Sequence, residues 1–200
     1  MASTLTVFTG PMFSRKSKRL IDALDHEAHA DKTILFLKPI TDDRTDGISY
    51  RKETLRASRP EEEPVYEKFE AHAIRSPGDA EKLFQKYKPQ VIGIDEAQFL
   101  TLETFDWILK KLEENKDRDF QIFVAGLDTD YMRRPYTPVP ELLAVADKVI
   151  KLEAKCDTCK GKNGSGILTQ RISGTRKLVE IGSKNYRAAC RVCHTIPELE

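Results

Sequence analysis

Apolar positions fall into short runs that alternate with helical stripes. "TLTVF" (4–8) ends at Gly10 and reads as a β-strand. "SRKSKRLIDALDHEAHA" follows, with Leu20, Ile21, Leu24 and Ala28 recurring at helical spacing. "TILFLKP" (33–39), "VIGID" (91–95), "QIFVAGLD" (121–128) and "KVIKLE" (148–153) read as four further strands. Between them lie three helical patterns: "DAEKLFQKY" (79–87), stopped by Pro89; "LETFDWILKKLEE" (102–114), with Phe105, Ile108, Leu109 and Leu112 on one face; and "PELLAVAD" (140–147). Strands that alternate with helices predict an α/β fold, a parallel central sheet with right-handed crossovers. Residues 41–64 are polar and rich in turn signals, an exposed loop with room for one short strand.

After Ala154 the pattern changes. Two C-x-x-C pairs, Cys156/Cys159 and Cys190/Cys193, bracket glycine-rich turns and two alternating runs, "GILTQRI" and "RKLVEIG". That predicts a metal-clasped β-hairpin and divides the chain into domains 1–154 and 155–200. Four thiolates in two such pairs suit a structural, tetrahedral Zn²⁺ with no open position; two unconnected reduced pairs are the plainer alternative. His194 directly follows Cys193 and reads as a surface residue, with an alternate ligand role open.

Charge narrows the partners. Among 200 residues, 33 Lys plus Arg balance 32 Asp plus Glu, for a net charge of +1. That argues against nucleic acid as the default partner. No run of about eighteen apolar residues suggests a membrane span, and the first ten residues lack the features of a secretory signal. A cytoplasmic location is expected, and cysteine pairs then point to metal before disulfide.

The candidate chemistry begins at "VFTGPMFSRKSKRL" (7–20). A strand, a loop opening at Gly10 and a helix starting near Lys16 suit phosphate binding, because the loop and helix N–H groups converge on an anion. Lys16 would reach outer phosphates, and Ser17 would offer its hydroxyl to Mg²⁺. Arg15 stands where the loop pattern takes a second glycine, so a Gly–Pro turn before a basic, solvated helix start remains an alternative for the loop alone. "VIGIDEAQF" shifts the balance. Asp95 and Glu96 stand at the carboxyl end of an apolar strand, where ligands bind in open α/β sheets. Asp95 suits Mg²⁺, and Glu96 suits proton abstraction from a substrate hydroxyl.

With "GPMFS-KS" (10–17), "IDEAQF" (94–99), "AGLDTDYMRRPY" (125–136) and both cysteine pairs, the chain resembles the thymidine kinases of human cytosol, many bacteria and large DNA viruses. The resemblance spans nearly the whole length. It implies a RecA-like phosphate-loop kinase domain, a zinc-bound lasso over the nucleoside, and a homotetramer. The implied reaction is ATP-dependent phosphorylation of thymidine, and of deoxyuridine, at the 5′-hydroxyl in nucleotide salvage. By matched position, Gly10, Pro11, Met12, Phe13, Ser14, Arg15, Lys16, Ser17 and Arg133 would hold the ATP phosphates. Ser17 and Asp95 would hold Mg²⁺, and Glu96 would be the base. Met12, Phe99, Leu127, Tyr131 and Tyr136 would wall the base pocket. In the lasso, Thr169 and Tyr186 would lie close to the base, and the backbone of Val179, Glu180, Ile181 and Gly182 would bond its polar edge.

The chain departs from this family in three places. Arg15 sits where the backbone favours glycine, at a cost of roughly 1–2 kcal/mol for an L-residue. "SYRKET" (49–54) replaces the polar pair of active relatives, leaving Arg51 and Lys52 as candidate cations. "KGKNGSG" lengthens the lasso turn. These departures keep open a catalytically impaired relative that binds nucleotide or nucleoside without turnover. A zinc-ribbon nucleic-acid binder is a third reading, disfavoured by the near-neutral charge.

Overall fold

The computed structural model describes residues 2–40, 69–172 and 183–196. In chain order the strands and helices are β1 (Thr4–Thr9), α1 (Lys16–Ala28), β2 (Ile34–Pro39), β3 (Ala71–Ile74), α2 (Pro77–Tyr87), β4 (Val91–Ile94), α3 (Leu102–Glu114), β5 (Gln121–Gly126), α4 (Val139–Val145), β6 (Lys148–Lys151), β7 (Leu168–Arg171) and β8 (Tyr186–Ala189). The first six strands form one sheet in the order β3-β2-β4-β5-β1-β6, and every pairing in it is parallel. β7 and β8 pair antiparallel in a separate ribbon.

Strand alternation sorts the sheet's side chains into two layers. Leu5, Val7, Leu35, Leu37, Ile92, Ile94, Ile122 and Val124 share a cluster with Ala80 of α2, Trp107 and Ile108 of α3, and Leu142 of α4. Phe8, Phe36, Val91 and Ala125 pack on the opposite face with Leu20 and Leu24 of α1. Three helices therefore cover one face and α1 the other. Gly93 lets α1 come close, because a Cβ there would stand 2.5 Å from Leu24 Cδ1. Helix starts follow local chemistry: Ser76 Oγ accepts from Asp79 N (3.3 Å) before Pro77, and Thr101 Oγ1 accepts from Thr104 N (3.3 Å).

All five sequence-predicted strands and four helices of the main sheet are present. Four differences have physical causes. β3 was not anticipated, because "AHAI" is a four-residue edge strand with only Ile74 buried and carries little pattern. β4 does not adjoin β1, as the pairing of the acidic strand end with a phosphate loop on a neighbouring strand would have it; β5 lies between them. α4 is shorter than 140–147, ending at Val145. β7 takes its partner from Tyr186–Ala189, while the alternating run 176–182 lies outside the described residues. So do Arg51, Lys52, Val179, Glu180, Ile181 and Gly182.

Candidate active site

The loop 10–15 leaves the carboxyl end of β1 and enters α1. Gly10 has φ +136°, and a Cβ there would meet Leu152 O at 2.2 Å, so no larger residue fits. Ser14 Oγ donates to Pro11 O (2.8 Å) and Lys16 Nζ donates to the same carbonyl (2.7 Å), curling the loop over its own lysine. Arg15, the residue just before α1, has φ 65° and ψ 31°. This is the left-handed geometry a glycine would adopt easily. The arginine side chain is exposed, so the cost of this residue falls on its backbone rather than on packing.

Three acidic groups face this loop. Ser17 Oγ donates to Asp95 Oδ1 (3.0 Å), and Glu96 N donates to the same oxygen (2.9 Å). Although β5 separates β4 from β1, α1 crosses the sheet face and carries Ser17 to the end of β4. Burial, then the nearby Glu96 carboxylate, pushes Asp95 up to about 6. Burial lowers the Lys16 ammonium to about 8, against the opposing pull of Glu96, Asp95 and Asp128. A buried carboxyl held by a hydroxyl and an amide, beside a buried lysine, suits a cation-and-phosphate site.

Glu96 has φ 56°, a left-handed conformation that costs a residue with a side chain, at the start of the short turn 97–99. Its Oε2 accepts from Gln98 Nε2 (2.6 Å), and Gln98 Oε1 accepts from Leu127 N (3.0 Å). Gln98 is buried, so it fixes both the Glu96 carboxylate and the chain leaving β5. The sequence reading gave Gln98 no role, although it lies inside "IDEAQF". Asp128 is a second omission: Lys151 Nζ reaches its Oδ2 at 2.9 Å, while its buried Oδ1 has no hydrogen-bond partner among the described residues.

The predicted base-pocket residues gather in two groups. Phe99 and Leu127 stand beside the Glu96–Gln98 unit, Phe99 N donating to Glu96 O (3.0 Å). Tyr131, Tyr136 and Tyr186 gather around Arg171, a residue the sequence did not single out. The Arg171 guanidinium lies 3.9 Å from the Tyr131 ring centroid and donates from Nη2 to Tyr186 Oη (2.8 Å). Burial, with Tyr186 and Asp130 adding to it, pushes Tyr136 up to about 12. Met12 N donates to Thr169 Oγ1 (3.0 Å), joining the phosphate loop to β7. Arg133, expected near the phosphates, has φ 66° and directs its guanidinium to His194.

The four cysteine sulfurs all lie within 4.8 Å of one another. Zn–S bonds of about 2.3 Å in a tetrahedron imply Sγ–Sγ separations of about 3.8 Å, and Cys159 and Cys190 stand 3.9 Å apart. Backbone N–H groups lower Cys156 to about 6, whereas a hydrogen bond with Cys190 pushes Cys193 up to about 12. Only a cation would allow all four thiols to ionise together. The donor set therefore fits zinc. His194 corrects its reading as a surface residue: it is 5% exposed. Nδ1 faces Arg133 and Nε2 lies 3.1 Å from Thr169 O, so neither ring nitrogen is left for the metal.

The fold and site define a parallel α/β protein whose glycine-led loop enters a helix beside paired carboxyls, with four clustered cysteines suited to zinc. A thymidine kinase family model matches residues 3–194. A thymidine kinase of Mesomycoplasma hyopneumoniae (strain 7448) is 31% identical over 192 residues, covering 96% of this chain and 95% of the relative. One from Bdellovibrio bacteriovorus is 32% identical over 197 residues, covering 97% and 86%. One from Coprothermobacter proteolyticus is 32% identical over 200 residues, covering 96% and 91%. The chain belongs to the thymidine kinase family, and it is an enzyme of that class. No helix among the described residues is long and apolar enough to cross a membrane.

Proposed function

We propose that this enzyme transfers the γ-phosphoryl group of ATP to the 5′-hydroxyl of thymidine, and of deoxyuridine, in nucleotide salvage. The observation that carries this reading is the Ser17–Asp95–Glu96–Gln98 arrangement at the mouth of the phosphate loop. Loop amides and Lys16 would hold the donor phosphates, and Ser17 and Asp95 would hold Mg²⁺. When bound, the Mg²⁺ would neutralise charge on the β- and γ-phosphates. The Glu96 carboxylate, oriented by Gln98, would accept the 5′-hydroxyl proton as that oxygen attacks phosphorus. The pair Ser17–Asp95 gives Asp95 its acceptor geometry before any cation arrives.

The base pocket follows from the same reading. Tyr131, Tyr136, Tyr186, Phe99, Leu127 and Met12 supply flat or pliable apolar walls for a methylated pyrimidine. Thr169 and the 179–182 backbone would meet its polar edge. The cysteine set would hold structural zinc, and the boundary between kinase domain and zinc module would fall near residue 154. A cytoplasmic homotetramer completes the reading, tested by light scattering coupled to size exclusion.

Purified, zinc-loaded protein should convert thymidine to the monophosphate with ATP and Mg²⁺, followed by chromatography of the nucleotide products. Glu96→Gln should lower kcat by about 10²–10⁴-fold with an unchanged unfolding midpoint. Full activity in that variant would remove Glu96 as the base. Absence of turnover in the native protein, with nucleotide binding retained, would favour a binding-only relative. Arg15 takes the left-handed backbone geometry open to glycine and keeps its side chain exposed, which favours the active form.

A further inference from the structure

The cysteine clasp and the phosphate loop are joined by a continuous set of hydrogen bonds that passes through one imidazole. His194 N donates to Cys190 O (3.0 Å), which locks the residue to the second cysteine turn. Arg133 donates to His194 Nδ1 from Nε (3.1 Å) and lies 3.0 Å from it through Nη2, while Nη2 also donates to His194 O (3.3 Å). Two donors at Nδ1 require that nitrogen to be unprotonated. The ring hydrogen therefore sits on Nε2, which donates to Thr169 O (3.1 Å). Thr169 in turn accepts Met12 N at Oγ1 (3.0 Å). The neighbouring residue repeats the attachment, with Gln170 Nε2 donating to Thr195 Oγ1 (2.7 Å).

We infer that His194 is a positioning residue: it transmits the geometry set by the cysteine clasp to the Met12 amide of the phosphate loop, and holds Arg133 against the same ring. The inference rests on the reading that this loop holds the donor phosphates. Its physical basis is burial. His194 is 5% exposed and Thr169 is 3% exposed, so solvent has little room to replace either bond when the imidazole is lost. An unsatisfied buried carbonyl on Thr169 would shift β7, and with it the hydroxyl that fixes Met12. Arg133 itself sits at φ 66° in a turn held by Asp130, whose Oδ1 accepts from Met132 N and Arg134 N (2.8 Å each), and from there its guanidinium reaches both Nδ1 and the His194 carbonyl.

Two substitutions separate the two halves of the ring. His194→Gln can offer a side-chain N–H near the place of Nε2 and keep the bond to Thr169 O. His194→Asn can offer an acceptor near the place of Nδ1 and keep Arg133 alone. Three measurements on the full-length protein are compared: zinc per chain by elemental analysis, hydrogen exchange of the Met12 amide, and KM for ATP with kcat determined separately. His194→Ala and His194→Asn should retain one zinc while the Met12 amide exchanges faster and KM for ATP rises about tenfold, from the loss of one buried hydrogen bond. His194→Gln should restore both values toward the native ones. Unchanged Met12 exchange in the alanine variant, or equal rescue by asparagine and glutamine, would overturn the inference. If alanine at this position prevents folding, the glutamine–asparagine contrast still decides it. Met12 exchange needs no turnover, so failure of the native protein to phosphorylate thymidine would overturn the functional reading, while the exchange contrast would still decide whether His194 is coupled to the loop.

Discussion

β4 reads "VIGI" and β7 reads "LTQR", and both strands are buried at every position. The first lies inside a six-stranded sheet, where flanking strands satisfy its backbone and helices cover both faces with Leu, Ile and Trp side chains. The second has one partner strand among the described residues, and besides Leu168 its buried side chains are a threonine, a glutamine and an arginine tied to Met12, Thr195 and Tyr186. Apolar burial at about 25 cal/mol per Å² stabilises the sheet without regard to direction. The cysteine region is too short a stretch to bury a comparable core of its own, and depends on directed bonds that need their partners at fixed places. Such a region is stable only when something fixes those places, and a cation held by the four clustered cysteines would do so.

The comparison can be broken by taking away the fixing element. Removing the metal with a strong chelator should abolish thymidine phosphorylation, by more than about 100-fold, while the main cooperative unfolding transition stays near its native midpoint. Far-ultraviolet circular dichroism against temperature, alongside the activity assay, checks both halves. Collapse of the main transition on chelation would mean that the sheet also leans on the clasp. The reciprocal experiment is Ile122→Ala. This side chain is fully buried in the larger cluster, and its truncation should cost about 2–5 kcal/mol in denaturant titrations with zinc content unchanged.

Smaller effects sharpen the contrast within the active site. Asp95 lies above its ordinary value of 3.8, at about 6. The native state therefore holds an extra proton between those two values, and stability falls as pH rises through that window. Asp95→Asn should stabilise the nucleotide-free protein by about 1–2 kcal/mol at pH 8 and not at pH 3, while eliminating Mg²⁺-dependent turnover. Denaturant midpoints at the two pH values measure it. Arg15→Gly should have the smallest effect. Relief of the left-handed backbone gains about 1–2 kcal/mol, the added freedom of glycine in the unfolded chain costs about 0.5–1 kcal/mol, and a net gain of about 0–1.5 kcal/mol should appear as a small rise in midpoint. A large jump in turnover in that variant would favour an impaired native enzyme instead.

Much of the sheet was legible because its signals are local. Each apolar run in 4–8, 33–39, 91–95, 121–128 and 148–153 is bounded by turn residues and separated by a helical stripe, so parallel α/β order follows without knowing any contact. The edge strand Ala71–Ile74 escaped, since a half-exposed strand of four residues has no run to reveal it. The candidate chemistry was legible where it is written in consecutive residues: Gly10 to Ser17, Asp95–Glu96 and the cysteine pairs. Gln98, Arg171 and His194 were not, because their partners Leu127, Tyr131 and Arg133 are distant in sequence. A buried arginine in a strand looks like an exposed one until its surroundings are known.

By itself the sequence determined the fold class, the glycine at the loop entrance, the paired carboxyls after an apolar strand and a thiolate set suited to zinc. Periodicity, turn chemistry and ligand spacing are properties of short stretches and survive without the rest of the chain. Tertiary structure alone decided that β5 separates β4 from β1, that α1 carries Ser17 across to Asp95, that Gln98 holds Glu96, and that His194 is buried between Arg133 and Thr169. Those facts depend on which side chains the packed sheet and the cysteine clasp bring within about 3 Å of one another, the distance at which a hydrogen bond first has a direction.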